Sequence, residues 1–252
     1  MKLHFKPIVT LFFSVLLLSC NAEEMPKEPA AGPVIDAPVP NPNLPIKSSV
    51  NYLALGDSYT IGQSVCETCR FPEQLKASLQ AMYFNSISSK IIATTGWTTS
   101  NLLSSINSQN LEPNYDLVTL LIGVNNQYQG RSFSVYEKEF PELVTKAIEL
   151  AKGNKKNVIV VSIPDYAYTP FGKSVAGDQS TKISAAIDQY NTFAENYCIK
   201  NEVVFVSITD ITRQGLANPD LVANDGLHPS KIAYTRFVER MMPKVKVVLQ
   251  QK

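Results

Sequence analysis

Histidine is nearly absent: of 252 residues only His4 and His228 carry an imidazole, and His4 falls in a segment with the features of a removable export signal. Acid/base chemistry through a histidine therefore has one candidate, His228, and a site built from several imidazoles is excluded. Net charge is equally small. The formal value is +1, and without residues 1–19, which hold Lys2 and Lys6, 21 basic side chains face 22 acidic ones, a balance of −1. A near-neutral chain with no basic run is a poor partner for nucleic acid, whose binding is driven by phosphate neutralisation. Cysteine is limited to positions 20, 66, 69 and 198. Cys66 and Cys69 form a C-x-x-C pair, yet zinc would need two more soft ligands, and only Cys198 and His228 are left to supply them. The context of a redox dithiol is missing too. The expectation is a structural disulfide in an oxidising compartment, within Cys66–Cys69 or from one of them to Cys198.

A membrane-spanning run is also lacking. The apolar stretch Ile8–Leu18 has eleven residues, too few at ~1.5 Å per residue to cross a hydrocarbon core of ~30 Å. With Lys2 and Lys6 before it and Leu17-Leu18-Ser19-Cys20 after it, residues 1–19 read as a lipoprotein signal peptide. The closing tetrapeptide resembles the lipobox, in which the cysteine is acylated and becomes the new N-terminus. Acyl chains on Cys20 would hold the protein on a membrane at ~0.8 kcal/mol per buried CH₂. The expected location is the bacterial cell envelope, as a lipoprotein of the outer membrane. Residues 20–47 then carry seven prolines, at 26, 29, 33, 38, 40, 42 and 45, and few large apolar side chains. Such a tether cannot offset its ordering entropy and could reach roughly 80 Å at ~3.1 Å per residue.

Residues 48–252 suit one α/β domain. Strand-like runs at Asn51–Leu55, Lys90–Thr94, Asp116–Ile122, Asn157–Ile163 and Val203–Val206 alternate with amphipathic stretches. The helical stretches are Pro72–Phe84, Thr98–Asn107, Val135–Lys152, Gln179–Lys200 and a last helix from Pro229. This alternation predicts βαβ units around a five-stranded parallel sheet, a flavodoxin-like three-layer α/β/α sandwich. Such sheets place their sites beyond the carboxyl ends of the strands. Ser58, Gly96 and Asn125 follow the first three strands, and Asp225 and His228 lie between the fifth strand and the last helix.

Each of these residues has an ordinary structural explanation when taken alone. Ser58 suits a helix cap, Gly96 a turn, Asn125 a strand end and Asp225-Gly226 a turn. Together they form a series of motifs: Gly56-Asp57-Ser58-Tyr59-Thr60, Gly96, Gly123-Val124-Asn125-Asn126 and Asp225-Gly226-Leu227-His228-Pro229. In this order the chain resembles the SGNH (GDSL-type) hydrolases, and bacterial lysophospholipase-like esterases in particular, across Val50–Lys252. The resemblance implies a carboxylic ester hydrolase with the catalytic triad Ser58, His228 and Asp225. It implies an oxyanion hole of the Ser58 and Gly96 backbone N–H groups and the Asn125 amide, with no metal or organic cofactor. Asn126 departs from the family, which often has an acidic residue there. Tyr59, Arg70, Trp97, Tyr128 and Arg131 lie near the motifs and are candidates for the pocket wall. The expected partner is a small-molecule, lipid or glycan ester, met by a monomer anchored to the membrane through Cys20. Lysophospholipase-like or short-chain esterase activity, deacetylation of O-acetylated glycans, and a lipid-anchored binding protein on the same fold all remain open.

Overall fold

The computed structural model describes residues 49–83 and 86–250; the expected signal peptide, Cys20 and the expected tether lie outside the described residues. Five strands, β1 (Ser49–Gly56), β2 (Ser86–Ala93), β3 (Leu117–Leu121), β4 (Val158–Val161) and β5 (Val204–Val206), form one sheet in the order β2-β1-β3-β4-β5. Every neighbouring pair is parallel. The helices are α1 (Ser58–Ile61), α2 (Phe71–Tyr83), α3 (Thr99–Asn107), α4 (Val124–Tyr128), α5 (Phe133–Leu150), α6 (Pro170–Ala176), α7 (Ser180–Asn201), α8 (Thr209–Thr212) and α9 (Lys231–Gln250). α2 packs on α9, while α3, α5 and α7 pack on one another in turn. The result is the expected three-layer α/β/α sandwich. Among the described residues no helix is long and apolar enough to cross a membrane.

The central strands explain their own composition. All residues of β3 and β4 are buried, as parallel strands covered on both faces must be. Each such aliphatic side chain contributes roughly 1.5–3 kcal/mol. The polar exceptions are paired: the Tyr52 hydroxyl on β1 lies 2.8 Å from Thr119 Oγ1 on β3, both fully buried. β2 begins at Ser86, four residues before the start expected from sequence. It is an edge strand with Ser86, Ser88 and Lys90 exposed, so its first half has no apolar signature. Its strand character comes from the ladder with β1, in which Ser49 pairs with Ser86 and Tyr52 with Ser89.

The chain leaves β1 for β2 on one side and then crosses back to β3 on the other. This makes the β1/β3 boundary the topological switch point, where open α/β sheets form their crevice. The motifs with Ser58 and Asn125 follow those two strands directly.

Candidate active site

Ser58 is the first residue of α1, whose N-cap is Asp57. The Asp57 carboxylate takes the Tyr59 N–H at 3.0 Å through Oδ1, which holds the tight turn out of β1. Asp57 is fully buried, and burial pushes its carboxyl up to about 7 against the hydrogen bonds from Tyr59 and Asn125.

Asp225 and His228 are brought together by a loop that closes on itself. Val222 and Pro229 form an antiparallel bridge, and Ala223 N–H donates to the His228 carbonyl at 2.7 Å. Asp225 Oδ1 accepts the N–H groups of Leu227 and His228 at 2.9 and 3.0 Å, the local turn that an Asp-Gly sequence favours. Asp225 Oδ2 lies 2.6 Å from His228 Nδ1. That contact assigns the tautomer: Nδ1 donates, and Nε2 is left to accept a proton. The imidazole is buried and rests against the Tyr59 ring, with centroids 5.1 Å apart.

Ser58, Gly96, Asn125 and His228 all line one cleft of about 200 Å³, with Tyr59, Thr95, Val124, Tyr128, Tyr166 and Leu227 as its remaining walls. Gly96 is required for a reason other than crowding. A Cβ there would meet nothing within 4 Å, but the backbone has φ +84°, where only glycine sits without strain. Asn125 Nδ2 donates to the Trp97 carbonyl at 3.1 Å and faces Asp57 Oδ2 at 3.5 Å. The longer contact is the weaker one, and a substrate oxygen in the cleft would compete with it. Among the described residues no group of three or more His, Cys, Asp or Glu side chains is placed to hold a metal ion.

The departure at Asn126 has a structural reason. This side chain is fully buried. Its Oδ1 accepts the Thr99 N–H at 3.0 Å and its Nδ2 donates to Thr99 Oγ1 at 2.6 Å. The Thr99 hydroxyl in turn donates to Glu139 Oε2, and the Ser100 hydroxyl donates to both Glu139 oxygens, at 2.7 and 2.8 Å. With its one proton committed to Glu139, Thr99 Oγ1 needs a donor, which an amide has and a carboxylate lacks. The network ties the segment after Gly96 to α4, which carries Asn125.

Of the pocket-wall candidates, Tyr59 and Tyr128 line the cleft. Arg70 instead pairs with Glu67 and reaches the Ile61 carbonyl. Trp97 is half-buried against the hydrophobic core. Arg131 is exposed and outside the cleft lining. Tyr166 was not apparent from sequence, since it precedes α6 far from any motif. It joins the wall through its hydroxyl, which donates to Gln127 Oε1 at 2.9 Å, and through an edge-on contact with Tyr128 at 5.6 Å. The disulfide is Cys66–Cys69, and Cys198 is a buried free thiol.

The sequence profile of the GDSL-like lipase/acylhydrolase family matches residues 54–236. No curated protein matches the chain by sequence. Among solved structures, the fold is similar to a lipase/acylhydrolase from Enterococcus faecalis, with a TM-score of 0.62 and 19% identity over 81% of this chain and 98% of that one. It is also similar to the psychrotrophic esterase EstA from Pseudoalteromonas sp., with a TM-score of 0.58 and 17% identity over 80% and 99%. The acetylxylan esterase of Geobacillus stearothermophilus gives a TM-score of 0.55 and 17% identity over 79% and 95%. At these identities the structures speak to the fold, and the profile, which spans most of the chain, speaks to descent. The chain belongs to the GDSL-like lipase/acylhydrolase family and is a serine esterase.

Proposed function

We propose that the chain hydrolyses short-chain carboxylic esters of polar alcohols, such as O-acetylated glycans, through an acyl-Ser58 intermediate. The observation that carries the mechanism is the 2.6 Å pair of His228 Nδ1 and Asp225 Oδ2 beside the cleft that holds Ser58. In this reading His228 Nε2 takes the Ser58 proton as Oγ attacks the ester carbonyl. The N–H groups of Ser58 and Gly96 and the Asn125 amide receive the oxyanion, each donor worth ~3 kcal/mol of transition-state stabilisation. His228 then returns the proton to the departing alkoxide. In the second half it deprotonates a water that releases the acid and regenerates Ser58.

The cleft lining favours a short acyl group. Beside Ser58, His228 and the polar groups around them, Val124 and Leu227 are the only aliphatic side chains of its lining, little apolar wall for a long fatty acyl chain. Tyr128 is 52% exposed and is backed by Tyr166 and Phe171, a supported ring suited to the apolar face of a sugar. Val124 and Leu227 in the wall are what a lysophospholipid-type acyl chain would use. The lipobox-like Leu17-Leu18-Ser19-Cys20 after a short apolar run supports action as a lipoprotein anchored to the outer membrane through Cys20.

The test is hydrolysis of p-nitrophenyl esters from acetyl to palmitoyl by the wild-type chain and its Ser58→Ala variant. A Ser58-dependent rate falling steeply beyond about four carbons is expected. A rate sustained at eight carbons or more overturns the short-chain assignment in favour of lipid esters, and activity that survives Ser58→Ala overturns the mechanism. For location, Cys20→Ser should move the protein from the membrane to the soluble fraction; retention on the membrane refutes the anchor.

A further inference from the structure

We propose that Ser64 is a positioning residue of this esterase: its hydroxyl donates to Asp225 Oδ2 at 2.6 Å and fixes the carboxylate that orients His228. The inference rests on the reading above, in which Asp225 and His228 serve Ser58. The contact spans 161 residues of sequence and joins two loops through one bond. Asp225 Oδ1 is already held by two backbone N–H groups. Oδ2, the oxygen that meets the imidazole, has Ser64 as its second partner. The Asp225 side chain is 29% exposed, so water competes for any position on Oδ2 that Ser64 does not occupy.

The backbone around Ser64 points the same way. Ser64 has φ +66°, a conformation in which glycine would be unstrained and serine is not. An unfavourable conformation retained at a residue touching the site is the pattern expected where the side chain has a task. The segment is closed at both ends. The N–H groups of Gly62 and Gln63 both donate to the Ser58 carbonyl at 3.0 Å, and Val65 N–H donates to the Gly62 carbonyl. The Cys66–Cys69 disulfide follows immediately, and Arg70 Nη1 reaches back to the Ile61 carbonyl. One short segment thus presents Ser58 at one end and braces Asp225 at the other, so the two sides of the array are set by a single rigid piece.

The electrostatics agree. Burial acts to raise the Asp225 carboxyl, but hydrogen bonds from Ser64, from the His228 ring and from the His228 and Leu227 N–H groups outweigh it and hold the group at about 2. The other ionisable groups around this pair are the Tyr59, Tyr166 and Tyr234 phenols, kept neutral by burial, together with Asp57 and with Asp165, which is paired to Arg213.

The experiment compares Ser64→Ala and Ser64→Gly with wild type and Ser58→Ala, measuring kcat, KM, the pH–rate profile and Tm on p-nitrophenyl acetate. Alanine removes the hydroxyl and keeps the strained backbone; glycine removes the hydroxyl and relieves the strain, so its Tm should equal or exceed wild type. Both should lower kcat about five- to twenty-fold, in line with loss of a partly exposed hydrogen bond to a charged group, with KM changed less than about twofold. Without Ser64 the Asp225 carboxyl loses one of the hydrogen bonds that hold it low, so it takes up a proton at higher pH and activity on the acid side should fall off sooner than in wild type. Wild-type kcat and pH profile in both variants overturn the proposal, as does a loss confined to Ser64→Ala and absent in Ser64→Gly. Abolition of turnover by Ser58→Ala keeps the array intact whatever Ser64 does; activity surviving Ser58→Ala removes the array and the proposal with it.

Discussion

Replacing Asp57 by asparagine isolates the effect of burial on one carboxyl group. Asp57 is fully buried, accepts the Tyr59 N–H at 3.0 Å and faces the Asn125 amide at 3.5 Å. Desolvation dominates and raises its carboxyl from 3.8 to about 7. Below about pH 4 both folded and unfolded chains hold this proton, and the stabilising contribution is fully present. Between about pH 4 and 7 the unfolded chain has released the proton while the folded chain keeps it, so stability falls as pH rises. Above 7 the contribution is gone. About three pH units at 1.36 kcal/mol each give a loss of about 4 kcal/mol across the window. Asparagine copies the neutral acid at every pH. Its amide faces another amide at Asn125, which forfeits one long hydrogen bond worth ~1 kcal/mol. Asp57→Asn should therefore be more stable than wild type by about 3 kcal/mol at pH 8 and less stable by about 1 kcal/mol at pH 4. Urea unfolding followed by circular dichroism, repeated from pH 4 to 8 on both proteins, gives the difference curve directly. A difference that stays flat from pH 5 to 7 would refute the argument, since the wild-type group would then not be carrying a proton into the neutral range.

Two further substitutions probe the segment around the cleft. If the amide serves the oxyanion as proposed, Asn125→Ala should lower kcat by about 10²–10³ with KM nearly unchanged; steady-state kinetics showing less than about a threefold loss would refute that role. Asn126→Asp leaves Thr99 Oγ1 without its donor and sets a second carboxylate beside the Thr99–Glu139 pair. It should cost about 1–3 kcal/mol in stability, read as a fall in Tm; an unchanged Tm would show that the network tolerates the family's usual acid.

Much of the fold was legible because its signals are local. The apolar run Leu117–Leu121 shows directly that it is buried on both faces, and it lies within one residue at each end of the expected Asp116–Ile122, while β1 and β4 differ from expectation by up to two residues at an end. β2 was less legible, since Ser86–Ser89 has little apolar character and owes its strand to the neighbouring β1. The pocket wall was legible only in part. Tyr59 and Tyr128 face the cleft, Arg70, Trp97 and Arg131 do not line it, and nearness in sequence could not separate them because direction is set by packing.

The sequence by itself determined the succession of the five strands and the five long helices, though not the short α1, α4, α6 and α8, and the placement of Ser58, Gly96 and Asn125 after strand ends. It also determined the turn that brings Asp225 to His228, because all of these depend on residues within a few positions of each other. Tertiary structure decided the rest: that Asp57 would be dry enough to hold a proton near neutrality, and that Asn126 would serve Thr99. It also decided that Cys66 would pair with Cys69 and leave Cys198 in the core, and that Ser64 would meet Asp225. These outcomes depend on burial and on contacts between distant segments, and a hydroxyl in a polar loop carries no local mark of the carboxylate it will meet 161 residues away.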